Sequence, residues 1–494
     1  MPNSDDVYVI PFGDAQLQNV GNRNCYAVAA GGECVIIDCG QRIPESDEDK
    51  GVHLFPDLSF LWESGMKVRA VLATHLHQDH IAGIPFLFDE YDKRHPDEDL
   101  PTLVGSRNTI DFIRLLLRDD EGKDIGFEFL QNVWDKGDIV VFPDNLPSRP
   151  LELGPFTIRA FPVPHSAHGS LGFDIRVGGK RVVTTGDFKI HSSNPLVTDA
   201  FRSCLSNMGD GTVNLLLVDS TGALGAGSSP ADTLAADAAA REIKRTLGRV
   251  FIPIFAHQTD RMMRIVKAVR REEPSRRFYL GGRGLYKQFQ AFWGCRTRAE
   301  MDARMKSEGL VFLDRHSWTK FLGMEVPAQN RHGEDIDEEK LIDLRAGVEN
   351  EDAVIFLTGS QAEEGSSFAL DVPALARVMG EDDTLLMSSS VIPEPANTER
   401  VKTAMVQVAS TRATICVPPD NTLALERPLR ANVRVGPFHT SGHSRRDEIA
   451  EVCGRVRPQV VAGIHGDPER REAIGSLRGS AKMVMLKGNV PYEI

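Results

Sequence analysis

The chain has 494 residues, 41% hydrophobic and 26% charged, with a net charge of −13. That length calls for two or three domains rather than one core, and no apolar run approaches the roughly 20 residues of a membrane span. The acidic balance argues against broad attraction to nucleic acid, while leaving room for a nucleic-acid substrate held in a local basic groove.

In chain order, Met1 to Ala15 carries Asp5, Asp6 and Asp14 and lacks the basic-then-apolar order of a secretory leader, so a cytoplasmic protein is expected. Val7 to Ile10, Cys25 to Ala29 and Cys34 to Asp38 read as strands, the last two joined by a Gly31-Gly32 turn. Lys67 to Thr74 reads as a strand, followed by a helix near Ile84 to Tyr91. Thr157 to Val163 and Arg181 to Thr184 are further strands, and Val213 to Asp219 is an apolar run suited to a strand buried on both faces.

After Asp219 the texture changes. Helices over Asp232 to Leu247, Thr259 to Arg270 and Asn397 to Ala409 alternate with strands over Arg249 to Phe255, Arg277 to Leu280, Ala353 to Leu357 and Thr384 to Ser388. That alternation predicts a parallel α/β layer. Gln329 to Glu339 is acidic and reads as an exposed loop. The segment Val433 to Ile494 returns to strand–helix–strand, its helix beginning near Ser444. The seven cysteines, Cys25, Cys34, Cys39, Cys204, Cys295, Cys416 and Cys453, are scattered, odd in number and never in a CxxC pair, which argues against a disulfide framework and against a cysteine-rich zinc site.

The strongest chemical signal is His75-Leu76-His77-Gln78-Asp79-His80, directly after a predicted strand. Imidazole and carboxylate together suit Zn²⁺, and also Mn²⁺ or Fe. Four such groups in one short loop are hard to aim at a single tetrahedral ion, so a second ion is implied. His165, Asp187 and His465 each follow a later strand. The expected assignment is His75, His77 and His165 to one ion, Asp79, His80 and His465 to the other, and Asp187 between them, with a hydroxide bridging the pair. His168 is an alternative ligand. His53, His95, His316 and His332 read as ordinary surface or core histidines.

In this order the motifs resemble the metallo-β-lactamase superfamily. Asp38-Cys39-Gly40, Phe55-Pro56-Asp57-Leu58, His75 to Gly83, Thr185 to Lys189, Asp219-Ser220-Thr221, Phe255-Ala256, Gly282-Arg283, Thr358 to Gln361 and His439 to His443 narrow the resemblance to ribonuclease J. It implies a mixed α/β fold, a metallo-β-lactamase αββα sandwich with an inserted β-CASP α/β domain, and nucleic acid lying between the two. Residues 1–220 would form the first part of the sandwich, 221–430 the insert and 431–494 the returning part. The chain ends soon after His465, so the resemblance does not reach the C-terminal domain of many bacterial ribonucleases J.

Carried over residue by residue, the resemblance implies catalytic roles for Asp79, Asp187 and His443. It implies substrate contacts for Asp219, Arg283, Ser360, Gln361, His439, Ser441 and His443, with Ser441 and His443 at the scissile phosphate and Gly282, Arg283, Ser360 and Gln361 toward the RNA 5′ end. Lys189 is a candidate for holding backbone phosphates, and Phe161 or Phe188 for stacking on bases. The sequence departs from the family at His257-Gln258, Gly284, Ala362 and Gly169. The expected function is a two-metal ribonuclease, endonucleolytic or 5′→3′ exonucleolytic, acting on single-stranded RNA with Zn²⁺ or Mn²⁺ and compatible with a homodimer. A β-CASP DNA nuclease and a non-catalytic nucleic-acid or partner-binding module retaining structural metals are the alternatives.

Overall fold

The computed structural model describes residues 6–12, 23–41, 55–116, 139–142, 149–191, 194–313, 352–360, 375–391, 395–419, 421 and 432–494. His53, His316, His332, Gln361, Ala362 and the segment 329–339 lie outside the described residues. The chain divides into two compact units, Met1–Ser229 with Ser441–Ile494, and Pro230–Thr440.

The first unit contains two seven-stranded sheets. In one, the strand order is Tyr492–Glu493, Val7–Pro11, Tyr26–Ala30, Glu33–Ile37, Lys67–Leu72, Thr102–Ser106 and Ile139–Phe142. The Tyr26–Ala30/Glu33–Ile37 hairpin closes through Gly31 and Gly32, both at positive φ (62° and 77°), the conformation a two-residue hairpin turn needs. In the other sheet the order is Lys482–Val484, Val460–Ile464, Leu215–Asp219, Lys180–Thr184, Leu171–Val177, Phe156–Pro162 and Leu151–Leu153.

One apolar cluster joins residues of both sheets, among them Val9, Val35 and Leu72 with Phe173, Leu217 and Ile464. A second lies on the outer face of the second sheet, where Phe201, Leu205, Ile449 and Val452 from helices Pro195–Met208 and Arg446–Val456 pack on Val183, Leu216 and Val461. This is the αββα sandwich. All five residues of Leu215–Asp219 are buried, as befits a central strand paired in parallel on both sides.

The topology gathers the loops. Lys180–Thr184, Leu215–Asp219 and Val460–Ile464 run parallel, so the residues just beyond them leave the same edge. Phe156–Pro162 is antiparallel to Leu171–Val177, itself antiparallel to Lys180–Thr184, so its C-terminal end lies on that edge too.

The second unit is built on a seven-stranded sheet, parallel throughout, in the order Leu310–Leu313, Arg277–Gly281, Ala353–Leu357, Val250–Pro253, Thr384–Leu386, Thr414–Val417 and Val433–Val435. Separate apolar clusters cover its two faces. Val433–Val435 pairs with Thr414–Val417 here, so the strand expected to open the returning segment belongs to this sheet. The chain re-enters the first unit at Ser441 rather than at residue 431, and leaves it after Ser229 rather than after residue 220. A three-residue strand of alternating pattern fits the edge of either sheet, which is why sequence placed it on the wrong side.

Candidate metal centre

His75, His77, His165 and Asp187 bring one ligand atom each to within 4.8 Å of one another, and so do Asp79, His80 and His465. His165, Asp187 and His465 sit just past strands, His75 and His77 between strand Lys67–Leu72 and helix Gln78–Ile81, and Asp79 and His80 within that single helical turn. His168 is absent from both groups.

Hydrogen bonds on the far side of the imidazoles decide which nitrogen faces inward. His165 donates Nδ1–H to the Gly442 carbonyl at 2.8 Å, His80 bonds through Nδ1 to Asp38 Oδ2 at 2.7 Å, and His465 through Nδ1 to the Thr221 hydroxyl at 2.8 Å. All three therefore turn Nε2 toward the centre, as metal-ligating imidazoles held by outer partners do. Asp38 is in turn fixed by the Thr74 amide and hydroxyl, both at 2.8 Å. Both Asp38 and His465 adopt left-handed backbone (φ 58° and 57°), a strain that accumulates at functional sites.

Asp187 lies between the two groups. Its Oδ2 is 3.4 Å from His80 Nε2 and 3.7 Å from each of His75 Nε2 and His465 Nε2. Neither carboxylate oxygen has a hydrogen-bond partner among the described residues, nor has His75 Nε2, and all three atoms are buried. Burying a carboxylate without partners is costly. Ligands of one ion at about 2.0–2.2 Å stand about 3.3–3.6 Å apart, so the observed separations suit a cation in the middle. The donor set fits divalent metal.

The electrostatics agree. Burial drives His165 down to about 4, and burial together with neighbouring His80 drives His75 well below its ordinary value, leaving both neutral and ready to ligate. Burial opposes charge on His80, yet Asp187, Asp38 and Asp79 together hold it well above that value. Asp187 is likewise held far down against its burial by His465, His80 and His443. So dense a set of buried carboxylates demands positive charge.

His443 and Asp219 adjoin this centre, both within 4.8 Å of Asp187 by their ligating atoms. The loop carrying His443 is held by one partner per residue. Lys189 Nζ donates to the Ser441 carbonyl at 2.8 Å, His165 to that of Gly442, and the Ser229 hydroxyl to that of His443 at 2.6 Å, while the Ser444 amide donates to the Phe188 carbonyl at 2.8 Å. A Cβ at position 442 would stand 2.6 Å from Ser166 Oγ and 3.0 Å from His165 Cε1, so a side chain there would press on the His165 ring. Ser441 is exposed, its hydroxyl accepting the His443 amide at 3.1 Å.

Three sequence expectations are corrected here. Lys189 is completely buried and spends its ammonium on the Ser441 carbonyl, so it does not grip phosphates. Phe161 and Phe188 are core residues packed against Phe201 rather than stacking platforms. Sequence reasoning also passed over Asp38 as a site residue. Its signal was an aspartate at a strand end ahead of Cys39-Gly40.

The other expected contacts lie in the second unit. Arg283 is exposed and opens helix Arg283–Trp293, after Gly282 at φ 109°. Ser360 is buried, its hydroxyl without a hydrogen-bond partner among the described residues. His439 is half-buried, with Nδ1 3.0 Å from Arg261 Nη1.

Residues 19–245 match the family described as the metallo-beta-lactamase superfamily. The chain carries a metallo-β-lactamase domain. Its curated relatives include ribonuclease J of Mycolicibacterium smegmatis, 26% identical over 456 residues, which covers 91% of this chain and 67% of that protein. Ribonuclease J of Thermus thermophilus is 25% identical, with 94% and 69% covered, and that of Mycoplasma pneumoniae 23%, with 98% and 73%. A crystal structure of a protein of unknown function from Enterococcus faecalis V583 matches at a TM-score of 0.59 and 13% identity, covering 99% of this chain and 100% of that one. It bears on the fold alone. Among the described residues no helix is long and apolar enough to cross a membrane. Within this domain the His/Asp cluster has the donor set of a divalent-metal site.

Proposed function

We propose that this chain is a two-metal ribonuclease that hydrolyses phosphodiesters of single-stranded RNA. The observation that carries the reading is Asp187 Oδ2, 3.4–3.7 Å from ligand nitrogens of both groups and without a hydrogen bond of its own. The curated relatives over most of the chain's length bear the name ribonuclease J, which supports RNA as the substrate.

Two bound divalent ions would supply a water of depressed pKa and neutralise charge developing on the phosphate. Zn²⁺ suits a set of imidazoles and carboxylates, with Mn²⁺ next. His75, His77 and His165 would hold one ion, Asp79, His80 and His465 the other, and Asp187 would serve both. Asp219 accepts Nδ1–H of His443 at 2.9 Å and leaves Nε2–H to face the departing 3′ oxygen. Burial works against charge on His443, but Asp219 and Asp187 push it up to about 9, and bound cations would draw it back toward neutrality. That range suits a general acid. Arg283, Ser360, Gln361, His439 and Ser441 would contact RNA phosphates and sugars.

The test is cleavage of 5′-labelled single-stranded RNA and DNA of one sequence with Zn²⁺ or Mn²⁺. Time-dependent RNA products absent with chelator, early mononucleotides marking 5′→3′ exonuclease action and internal fragments endonuclease action, support the reading. Cleavage of DNA alone would make the chain a DNA nuclease. No cleavage by protein holding two metals would make it a binding module.

A further inference from the structure

We infer that Arg261 is a positioning residue that fixes His439 as the Nε2–H tautomer, so that the ring offers a hydrogen-bond donor to the substrate. The inference rests on His439 facing the substrate in the proposed function, but its core claim concerns one proton on one ring.

Arg261 lies in helix Thr259–Arg270 and is buried, unusual for a guanidinium, which almost never sits inside a protein unless paired. Among the described residues its carboxylate partner is Asp232, at 3.0 Å. The Nη donors also reach residues 439–440 and Ser388, while Nε has no hydrogen-bond partner among the described residues. Nη2 reaches the Thr440 carbonyl at 3.0 Å and its hydroxyl at 3.1 Å, and Nη1 reaches His439 Nδ1 at 3.0 Å and the Ser388 carbonyl at 3.3 Å. The Thr440 hydroxyl closes the ring by donating to Asp232, and the Ser388 hydroxyl donates to the Phe438 carbonyl at 2.9 Å. Residues 438, 439 and 440 are thus each tied to this network.

The tautomer follows from what each neighbour can do. His439 Nδ1 has a guanidinium N–H at 3.0 Å and the Ser388 carbonyl at 3.2 Å. Guanidinium only donates and a carbonyl only accepts, so Nδ1 cannot satisfy both. A hydrogen bond from a charged donor is roughly twice as strong as a neutral one, and a proton on Nδ1 would point at a buried cation. The Ser388 carbonyl, meanwhile, is already supplied by Nη1. Nδ1 therefore accepts and the proton sits on Nε2. Helix residue 261 and loop residue 439 are far apart in sequence, so only the fold brings them together.

The experiment is ¹⁵N-histidine NMR of the full chain, with the His439 signal assigned through His439→Gln. In the unsubstituted protein an unprotonated Nδ1 and protonated Nε2 are expected, and Arg261→Met should move the proton to Nδ1, toward Ser388. Cleavage of labelled RNA should fall on the order of 10-fold in kcat/KM for Arg261→Met. Arg261→Lys, which keeps a charged donor, should recover part of that loss and retain the Nε2–H tautomer. A proton on Nδ1 in the unsubstituted protein overturns the inference, even should Arg261→Met fail to fold. So does a folded Arg261→Met with an unchanged tautomer. Because the spectrum is read without RNA, failure of the ribonuclease reading leaves this outcome separately visible.

Discussion

His443 Nδ1 lies 2.9 Å from Asp219 Oδ2, two residues separated by more than 200 positions and joined because strand Leu215–Asp219 and the loop ahead of helix Arg446–Val456 meet at one sheet edge. The other carboxylate oxygen of Asp219 accepts the Thr221 amide and hydroxyl at 2.9 and 2.7 Å. Asp219 is thereby held so that it cannot turn away from the imidazole. The pair holds the His443 imidazole next to Asp187 and the candidate metal centre.

A pH signature follows. Against its burial, His443 is raised to about 9 by Asp219 and Asp187. A group raised in the folded state stabilises fully below its unfolded pKa of about 6.5 and loses that contribution as pH climbs through about 9. The full effect is on the order of 3 kcal/mol, from about 1.4 kcal/mol per pKa unit. In chelator-treated protein, Asp219→Asn should be clearly less stable than the parent near pH ~6, with the gap narrowing by pH ~10. Denaturant titrations at both pH values check this. A pH-independent gap would remove the ion pair.

Metal loading separates ligands from their neighbours. His77→Ala and Asp187→Asn should each abolish hydrolysis and drop the bound metal below two ions per chain, measured by elemental analysis after gel filtration. Asp187 should cost the most, because its Oδ2 stands near nitrogens of both groups. Two ions retained in both variants would dissolve the assignment.

Lys189 tests the loop scaffold. Its buried ammonium supports the Ser441 carbonyl, and removing a charged hydrogen bond to a buried group costs about 1.5–3 kcal/mol. Lys189→Met should lower stability by that order and slow turnover while both metals stay bound, since the bond removed goes to the Ser441 carbonyl. Thermal melts, metal counts and single-turnover rates together decide it. An unchanged rate would mean that the loop holds without this lysine.

The clustering of the candidate metal ligands was the most legible feature of the chain, for a physical reason. His75, His77, Asp79 and His80 fall within six residues, so they must lie close together wherever the chain folds, and His165, Asp187 and His465 each sit just past a strand. The αββα sandwich was legible through the resemblance that the motifs carry, not from the strands alone. What stayed hidden depends on contacts between distant segments. Lys189 looks like any exposed lysine until Ser441, some 250 residues on, supplies a carbonyl. Asp38 becomes an outer partner of His80 only because the strand ending at Ile37 pairs with the one ending at Leu72. Val433–Val435 carries too few residues to state which sheet it joins.

His443→Ala separates chemistry from metal holding. The seven ligands form two groups without it, while His443 Nδ1 is engaged by Asp219 and its ring lies beside those of His165 and His465, at centroid distances of 5.5 and 5.2 Å. The variant should therefore keep the fold and both ions. Its single-turnover cleavage rate should fall on the order of 10²–10³-fold, the usual effect of losing one general acid or one donor to a developing oxyanion. Affinity for uncleaved RNA should change far less, since most protein contacts to a nucleic-acid chain go to other backbone groups. Binding is measured with a non-cleavable phosphorothioate or 2′-O-methyl RNA of the same sequence, and metal by elemental analysis of the same preparation. A variant cleaving at the parental rate would leave the Asp219–His443 pair as a structural tie alone. One that had lost an ion would make His443 a ligand and reopen the place of His465.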